Sequence, residues 1–143
     1  MLMKILIVDD CPTVRKRLSK SLKDWGFDPV QADDPMQVLD MLANQSLPRL
    51  LIVDWVMPKM EGPELIREIR KADPDRNHYI IMLTAKSGRS VLDTAFRCGA
   101  DDYLAKPVED EDLHRRICEG RNILERHDQV MSTTLESPSG GAI

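Results

Sequence analysis

Three uninterrupted apolar runs punctuate the chain: Ile5-Leu-Ile-Val8, Leu50-Leu-Ile-Val53 and Tyr79-Ile-Ile-Met-Leu83. None alternates with polar residues, which is the pattern of strands covered on both faces within a parallel sheet. Two weaker segments, Phe27 to Ala32 and Asp102 to Ala105, complete a set of five strands. Pro29 lacks a backbone donor, so the strand that contains it is placed at a sheet edge.

Between the strands the apolar period lengthens to three and four residues. From Pro12 to Asp24, Val14, Leu18 and Leu22 share one helical face, with Pro12 in the first turn and Gly26 just past the end. Asp34-Pro35-Met36-Gln37 reads as an N-cap, a first-turn proline and a capping-box glutamine, with Val38, Leu39 and Leu42 behind it. A third helix is expected from about Pro63 to Lys71, with Leu65, Ile66 and Ile69 inward. A fourth covers Ser90 to Arg97, with Val91, Leu92, Ala95 and Phe96 apolar and Gly99 as its stop. The fifth starts near Asp110 and carries Leu113 and Ile117. Five strands alternating with five helices predict a doubly wound α/β fold with right-handed crossovers.

The length, 143 residues with 42% hydrophobic, suits one core that buries about two-thirds of the unfolded surface. Twenty Lys and Arg against 24 Asp and Glu give a net charge of −4, which argues against nonspecific nucleic-acid binding by charge alone. Two Trp, two Tyr and two Phe supply little surface for stacking on bases, so no direct nucleic-acid binding is expected. Cys11, Cys98 and Cys118 form no CxxC pair, which fits a reducing, cytoplasmic setting. The apolar run that follows Lys4 is too short for a signal-peptide core or a membrane span, so no membrane association is expected. His78, His114 and His127 have no metal-ligand spacing, and the eight methionines fall mostly in apolar stripes.

In a doubly wound sheet the ligand crevice lies at the carboxyl ends of the strands. Asp9 and Asp10 follow the first strand, Asp54 ends the third, Thr84 ends the fourth, and Lys106-Pro107 follows the fifth. A polar residue at a strand end is ordinary by itself; three carboxylates, a hydroxyl and an ammonium on one rim form a chemically coherent set. Carboxylates at close range require either a proton on one of them or a cation among them. With oxygen ligands only, the hard cation Mg²⁺ is the natural choice. Thr84 and Lys106 suit the oxygens of a phosphoryl group, and Asp54 is the best placed nucleophile.

Asp9-Asp10 after an apolar strand, Asp54-Trp55-Val56-Met57-Pro58 with Gly62, Thr84-Ala85, and Gly99-Ala-Asp-Asp-Tyr-Leu-Ala-Lys-Pro107 together resemble the receiver domain of two-component response regulators. The resemblance covers about residues 3 to 120. It implies a flavodoxin-like (βα)5 domain with strand order 2-1-3-4-5, spanning residues 1–121. It also implies that Asp54 accepts a phosphoryl group from a partner histidine kinase. Asp10 would ligate Mg²⁺ directly and Asp9 largely through water, with Asp54 and the Val56 carbonyl completing the metal set. Thr84 and Lys106 would bind phosphoryl oxygens, Tyr103 would turn inward as a switch, and the Lys106–Pro107 bond would be cis. The readout surface would be the fourth helix, fifth strand and fifth helix, a face that could also form a homodimer.

Two positions near this pocket are distinctive. Val56 has no polar side chain and Lys86, two residues after Thr84, is a cation, so neither is a good acceptor for orienting an attacking water, and a long-lived phosphoryl group is expected. Cys11 borders the acidic pair without a sequence-adjacent His and reads as packing.

Residues 122–143 are expected to form a helical extension and a flexible tail or linker, with Gly120, Leu124, His127 and Met131 spaced either as a short coiled-coil seam or as a plain amphipathic extension, and Ser137-Pro-Ser-Gly-Gly141 as the flexible part. Two function classes follow. One is a stand-alone module that binds a target protein when phosphorylated. The other is the regulatory part of a longer effector, a diguanylate cyclase being favoured because Arg116 to Val130 resembles the helical connector to such domains. A small-molecule phosphatase would need an aspartate two residues after the nucleophile, where this chain has Val56.

Overall fold

The computed structural model describes residues 1–136, and side chains as far as residue 132. Ten elements alternate without exception: β1 (Lys4–Val8), α1 (Pro12–Asp24), β2 (Asp28–Ala32), α2 (Pro35–Ala43), β3 (Leu50–Asp54), α3 (Gly62–Lys71), β4 (Tyr79–Thr84), α4 (Arg89–Arg97), β5 (Asp102–Ala105) and α5 (Asp110–Glu136). The strands form one parallel sheet in the order β2-β1-β3-β4-β5, the doubly wound flavodoxin-like arrangement, with Pro29 on an edge strand.

Alternate residues along each strand supply two separate cores, because successive side chains point to opposite faces. Leu6, Leu51 and Ile80 stand in register across β1, β3 and β4 on the face covered by α2, α3 and α4, where Val38, Leu65, Ile66 and Ile69 meet them. Ile5, Leu50 and Ile81 belong to the opposite face and pack with Leu18 and Leu22 of α1 and Leu113 and Ile117 of α5. The runs without polar alternation are therefore the strands buried from both sides, and every residue of β3 and β4 is buried.

Local signals act as their chemistry dictates, with three adjustments. Asp34 caps α2 by accepting from the Met36 amide at 2.8 Å, but the Gln37 side chain accepts from the amide of Asp33, one residue before the cap. Phe27 is buried yet precedes β2, which begins at Asp28. The apolar stripe of α4 divides: Val91 and Ala95 pack on the core, while Leu92 and Phe96 are exposed. The helix lies at the sheet margin, where one row of side chains suffices to cover it.

Helix α5 runs well past residue 121 and remains in contact with the body. Gly120 lies against the ring of Tyr79, Leu124 is buried in the second core, the His127 Nε2 atom is 3.2 Å from Asn77 Oδ1, and Asp128 pairs with Arg49 at 2.7 Å. Three of the four positions spaced as a coiled-coil seam thus face the chain's own domain, because the sheet end supplies the apolar partner first. Met131 is half-buried, and Ser137-Pro-Ser-Gly-Gly141 lies outside the described residues. No helix among the described residues is long and apolar enough to cross a membrane.

A Cβ on Gly120 would stand 2.5 Å from Tyr79 Cδ1. Gly120→Ala is therefore expected to destabilise the protein by about 1–3 kcal/mol through overpacking. On an exposed helix the same change would stabilise by roughly 1 kcal/mol, so the sign of the shift in urea midpoint checks the packing.

Candidate functional site at the carboxyl edge of the sheet

The parallel strands all end at one rim, which brings the polar residues after β1, β3, β4 and β5 together. Asp9 is only 1% exposed, while Asp10 beside it is open to solvent. Asp9 is held at three points: its amide donates to Ala32 O at 3.2 Å, its Oδ1 accepts from the Cys11 amide at 2.9 Å, and its carbonyl accepts from Arg15 Nη1 at 2.6 Å. Asp54, the last residue of β3, is 6% exposed. One carboxylate oxygen from each of Asp9, Asp10 and Asp54 lies within 4.8 Å of the other two.

Lys106 is the cation that faces this group. Its Nζ stands 3.0 Å from Asp54 Oδ1 and 3.2 Å from Asp9 Oδ2. Burial pushes the Asp54 carboxyl above its ordinary range; the hydrogen bond from Lys106 pulls it down, and the charges of Asp9 and Asp10 add to the rise. For Lys106, burial opposes the cation, but the bonds and charges of Asp54 and Asp9 prevail and raise its pKa. One ammonium among three carboxylates leaves a negative surplus in a half-enclosed, all-oxygen pocket, a donor set suited to a hard divalent cation.

Thr84 ends β4 fully buried, and its Oγ1 accepts from the Lys86 amide at 2.9 Å. Tyr103 on β5 is half-buried, with its hydroxyl 3.4 Å from the Lys86 carbonyl. Val56 follows Asp54 by two residues with its side chain exposed, and the Lys106–Pro107 peptide is cis. Gly62 closes the loop after β3: its amide donates to Trp55 O at 2.8 Å, and a Cβ there would collide with Asp54 O at 2.5 Å. The glycine thus lets α3 begin against the backbone of the Asp54 strand.

Sequence reasoning missed one contact at this rim. Lys86 Nζ lies 5.3 Å from the centroid of the Trp55 ring, and Trp55 is buried. Each residue alone has an ordinary reading, and nothing in their spacing pairs them. The three histidines find partners elsewhere: His78 beside Asp73, His114 stacked on Trp25 at 4.4 Å, and His127 on Asn77.

A doubly wound domain with an acidic, cation-competent pocket at its carboxyl edge is the class that this geometry defines. The family described as the response regulator receiver domain matches residues 5–118, and the chain belongs to that family. A chemotaxis protein CheY homolog of Campylobacter jejuni is 33% identical over 116 residues, covering 80% of this chain and 89% of the relative. A probable transcriptional regulator ycf27 of Porphyridium aerugineum is 36% identical over 140 residues, covering 98% of this chain but only 55% of the relative, so the chain spans about half of that protein. Among solved structures, a CheY-like receiver domain protein from Methanospirillum hungatei superposes with a TM-score of 0.77 at 28% identity, covering 90% of this chain and 98% of the other. A putative two-component response regulator/GGDEF domain protein superposes with a TM-score of 0.78 at 28% identity, with 86% of this chain covering 50% of that one.

Proposed function

We propose that this domain takes a phosphoryl group from the phosphohistidine of a partner kinase onto Asp54, and that the modification alters a surface read by an output domain or target protein. The observation that carries this reading is Lys106 bridging Asp54 and Asp9 within the three-carboxylate pocket. An Asp54 oxygen forms the new bond to phosphorus as the phosphorus–imidazole bond breaks, and the imidazole departs with the bonding pair. Asp9, Asp10, Asp54 and the Val56 carbonyl would hold Mg²⁺, which supplies charge neutralisation at the transferring oxygens. Lys106 offers its ammonium, and Thr84 its hydroxyl, to other phosphoryl oxygens. The added charge draws Thr84 and its loop inward and biases Tyr103 between two placements. The face formed by α4, β5 and α5, where Leu92 and Phe96 are exposed, is the readout surface and a homodimer candidate. A cytoplasmic setting accords with this partnership.

The test is a Mg²⁺ titration of Trp55 fluorescence, with and without beryllofluoride, in a Trp25→Phe background. A metal-dependent change that beryllofluoride enhances is expected; a flat signal would overturn the site.

A second reading, the regulatory part of a longer effector, draws support from the 27-residue α5 and from relatives about twice the length of the matched region. A transcription factor or a diguanylate cyclase would both satisfy it.

Val56 and Lys86 offer no acceptor to an attacking water, so Val56→Asn with Lys86→Glu should shorten the phosphoryl lifetime on the order of tenfold to a hundredfold. Decay of the labelled protein after donor removal measures it, and an unchanged lifetime would refute the assignment.

A further inference from the structure

Lys86 is the meeting point of three contacts around the pocket. Its amide donates to Thr84 Oγ1 at 2.9 Å, its carbonyl lies 3.4 Å from the Tyr103 hydroxyl, and its ammonium sits 5.3 Å from the centre of the Trp55 ring. The two ends of the last contact differ in freedom. Trp55 is anchored: it adjoins Asp54, packs in the core, and donates its amide to Leu83 O at 2.9 Å. Lys86 belongs to the exposed segment between β4 and α4, which ends at Gly88 with φ +112 and gives α4 no side-chain cap. A cation over an indole face is attracted by the ring quadrupole, and that attraction exists only while the loop keeps this placement.

We propose that Lys86 is a positioning residue: its ammonium, seated on Trp55, tethers the β4–α4 loop in the unphosphorylated arrangement and so opposes engagement of Thr84 with a phosphoryl group. The inference rests on the phosphoacceptor reading of Asp54. A contact present in one arrangement and lost in the other shifts the equilibrium by its differential strength. An exposed cation–π contact corresponds to about a two- to fivefold bias. The tether is thus a tuning element for the switch rather than part of the phosphoryl chemistry, and it runs through side chains that flank the pocket residues without replacing them.

The experiment is beryllofluoride binding at saturating Mg²⁺, measured by isothermal titration calorimetry on the full chain. Variants are Lys86→Met, Lys86→Arg, Trp55→Phe and the Lys86→Met/Trp55→Phe double. Lys86→Met should bind about two- to fivefold tighter than the unaltered protein, Lys86→Arg should match the unaltered protein because a cation still reaches the ring, and the gain from Lys86→Met should shrink in the Trp55→Phe background. Weaker or equal binding by Lys86→Met would overturn the tether and make Lys86 a direct phosphoryl contact or a bystander. A gain of equal size with Phe at position 55 would also overturn it. Failure of the unaltered protein to bind beryllofluoride would refute the Asp54 reading itself, a result distinct from either.

Discussion

Asp54→Asn protein incubated with acetyl phosphate and Mg²⁺ is expected to take up no phosphoryl group, while the unaltered protein forms an acyl phosphate detectable by intact mass. The amide of Asn is not a competent nucleophile at phosphorus, and among the described residues no other carboxylate combines the placement of Asp54 at a strand end with a 3.0 Å contact to Lys106. The substitution is nearly isosteric at a site that is 6% exposed, so the core around β3 is preserved. It also removes one of three mutually repelling charges, leaving Lys106 paired with Asp9 at 3.2 Å. The thermal midpoint should therefore stay level or rise. Loss of labelling with retained stability separates loss of chemistry from loss of fold, and labelling at the unaltered level would sink the assignment.

The second large effect lies at the opposite end of the sheet. Arg70 on α3 is nearly buried and spends its guanidinium on four partners: Gly99 O at 2.9 Å, His78 O at 2.8 Å, Asp73 Oδ2 at 3.2 Å and Asp101 Oδ2 at 2.5 Å. Asp101 in turn accepts from the Ile80 amide at 2.8 Å, so one side chain joins α3, the entry to β4 and the turn before β5. Arg70→Ala removes the guanidinium from the buried Asp73, which keeps the Asn77 and His78 amides, while Asp101 keeps Arg76 at 2.8 Å. Removing one partner of a buried pair costs about 3–5 kcal/mol, and the contacts that Asp73 and Asp101 both retain place this case at the lower end. That is a large share of a typical stability of about 5–15 kcal/mol, readable as a drop in urea midpoint. Arg70→Lys should recover little of it, because a point charge cannot reproduce the planar fork.

The same cluster sets part of the acid response. Burial alone would raise the Asp73 carboxyl, but hydrogen bonds from the Asn77 and His78 amides, at 2.8 and 3.0 Å, together with the His78 ring outweigh it and hold the carboxyl below its ordinary value. A carboxyl depressed in the folded state stabilises above its unfolded value of about 3.9 and loses that contribution as pH falls below it through the folded value. Asp73→Asn should therefore flatten the acid limb of the stability–pH curve below about pH 4, with little change in its shape near neutrality.

The difference between these two ends explains what could be read from the chain alone. The strands were legible because burial on both faces leaves no room for polar alternation, and the pocket was legible because four of the five strands end at or just before Asp9, Asp54, Thr84 or Lys106. The Arg70 cluster was not: its partners lie from 3 to 31 residues away, and an arginine in a helix reads as a solvated face until the fold brings Gly99 and Asp101 to it. Periodicity also failed to say what fills a seam. Gly120, Leu124 and His127 have helical spacing whether the partner is another helix or the domain's own sheet, and only the structure shows Tyr79 and Asn77 in that place. Trp55 and Lys86 meet because two loops converge, a juxtaposition that leaves no mark on composition or spacing.

Helix α5 begins four residues after Lys106 and ends beyond the far pole of the sheet. At 1.5 Å per residue its 27 residues make a rod of about 40 Å. Near its middle, Gly120 rests on the buried ring of Tyr79, and Leu124 and the Arg49–Asp128 pair follow one and two turns further on. Mechanically this is a lever with a seated fulcrum. A tilt of about 5° around Gly120 would carry the last described turn by about 2 Å, given the length of helix beyond that point. A small displacement of the first turn, which begins four residues after Lys106, would thus be magnified at the last described turn.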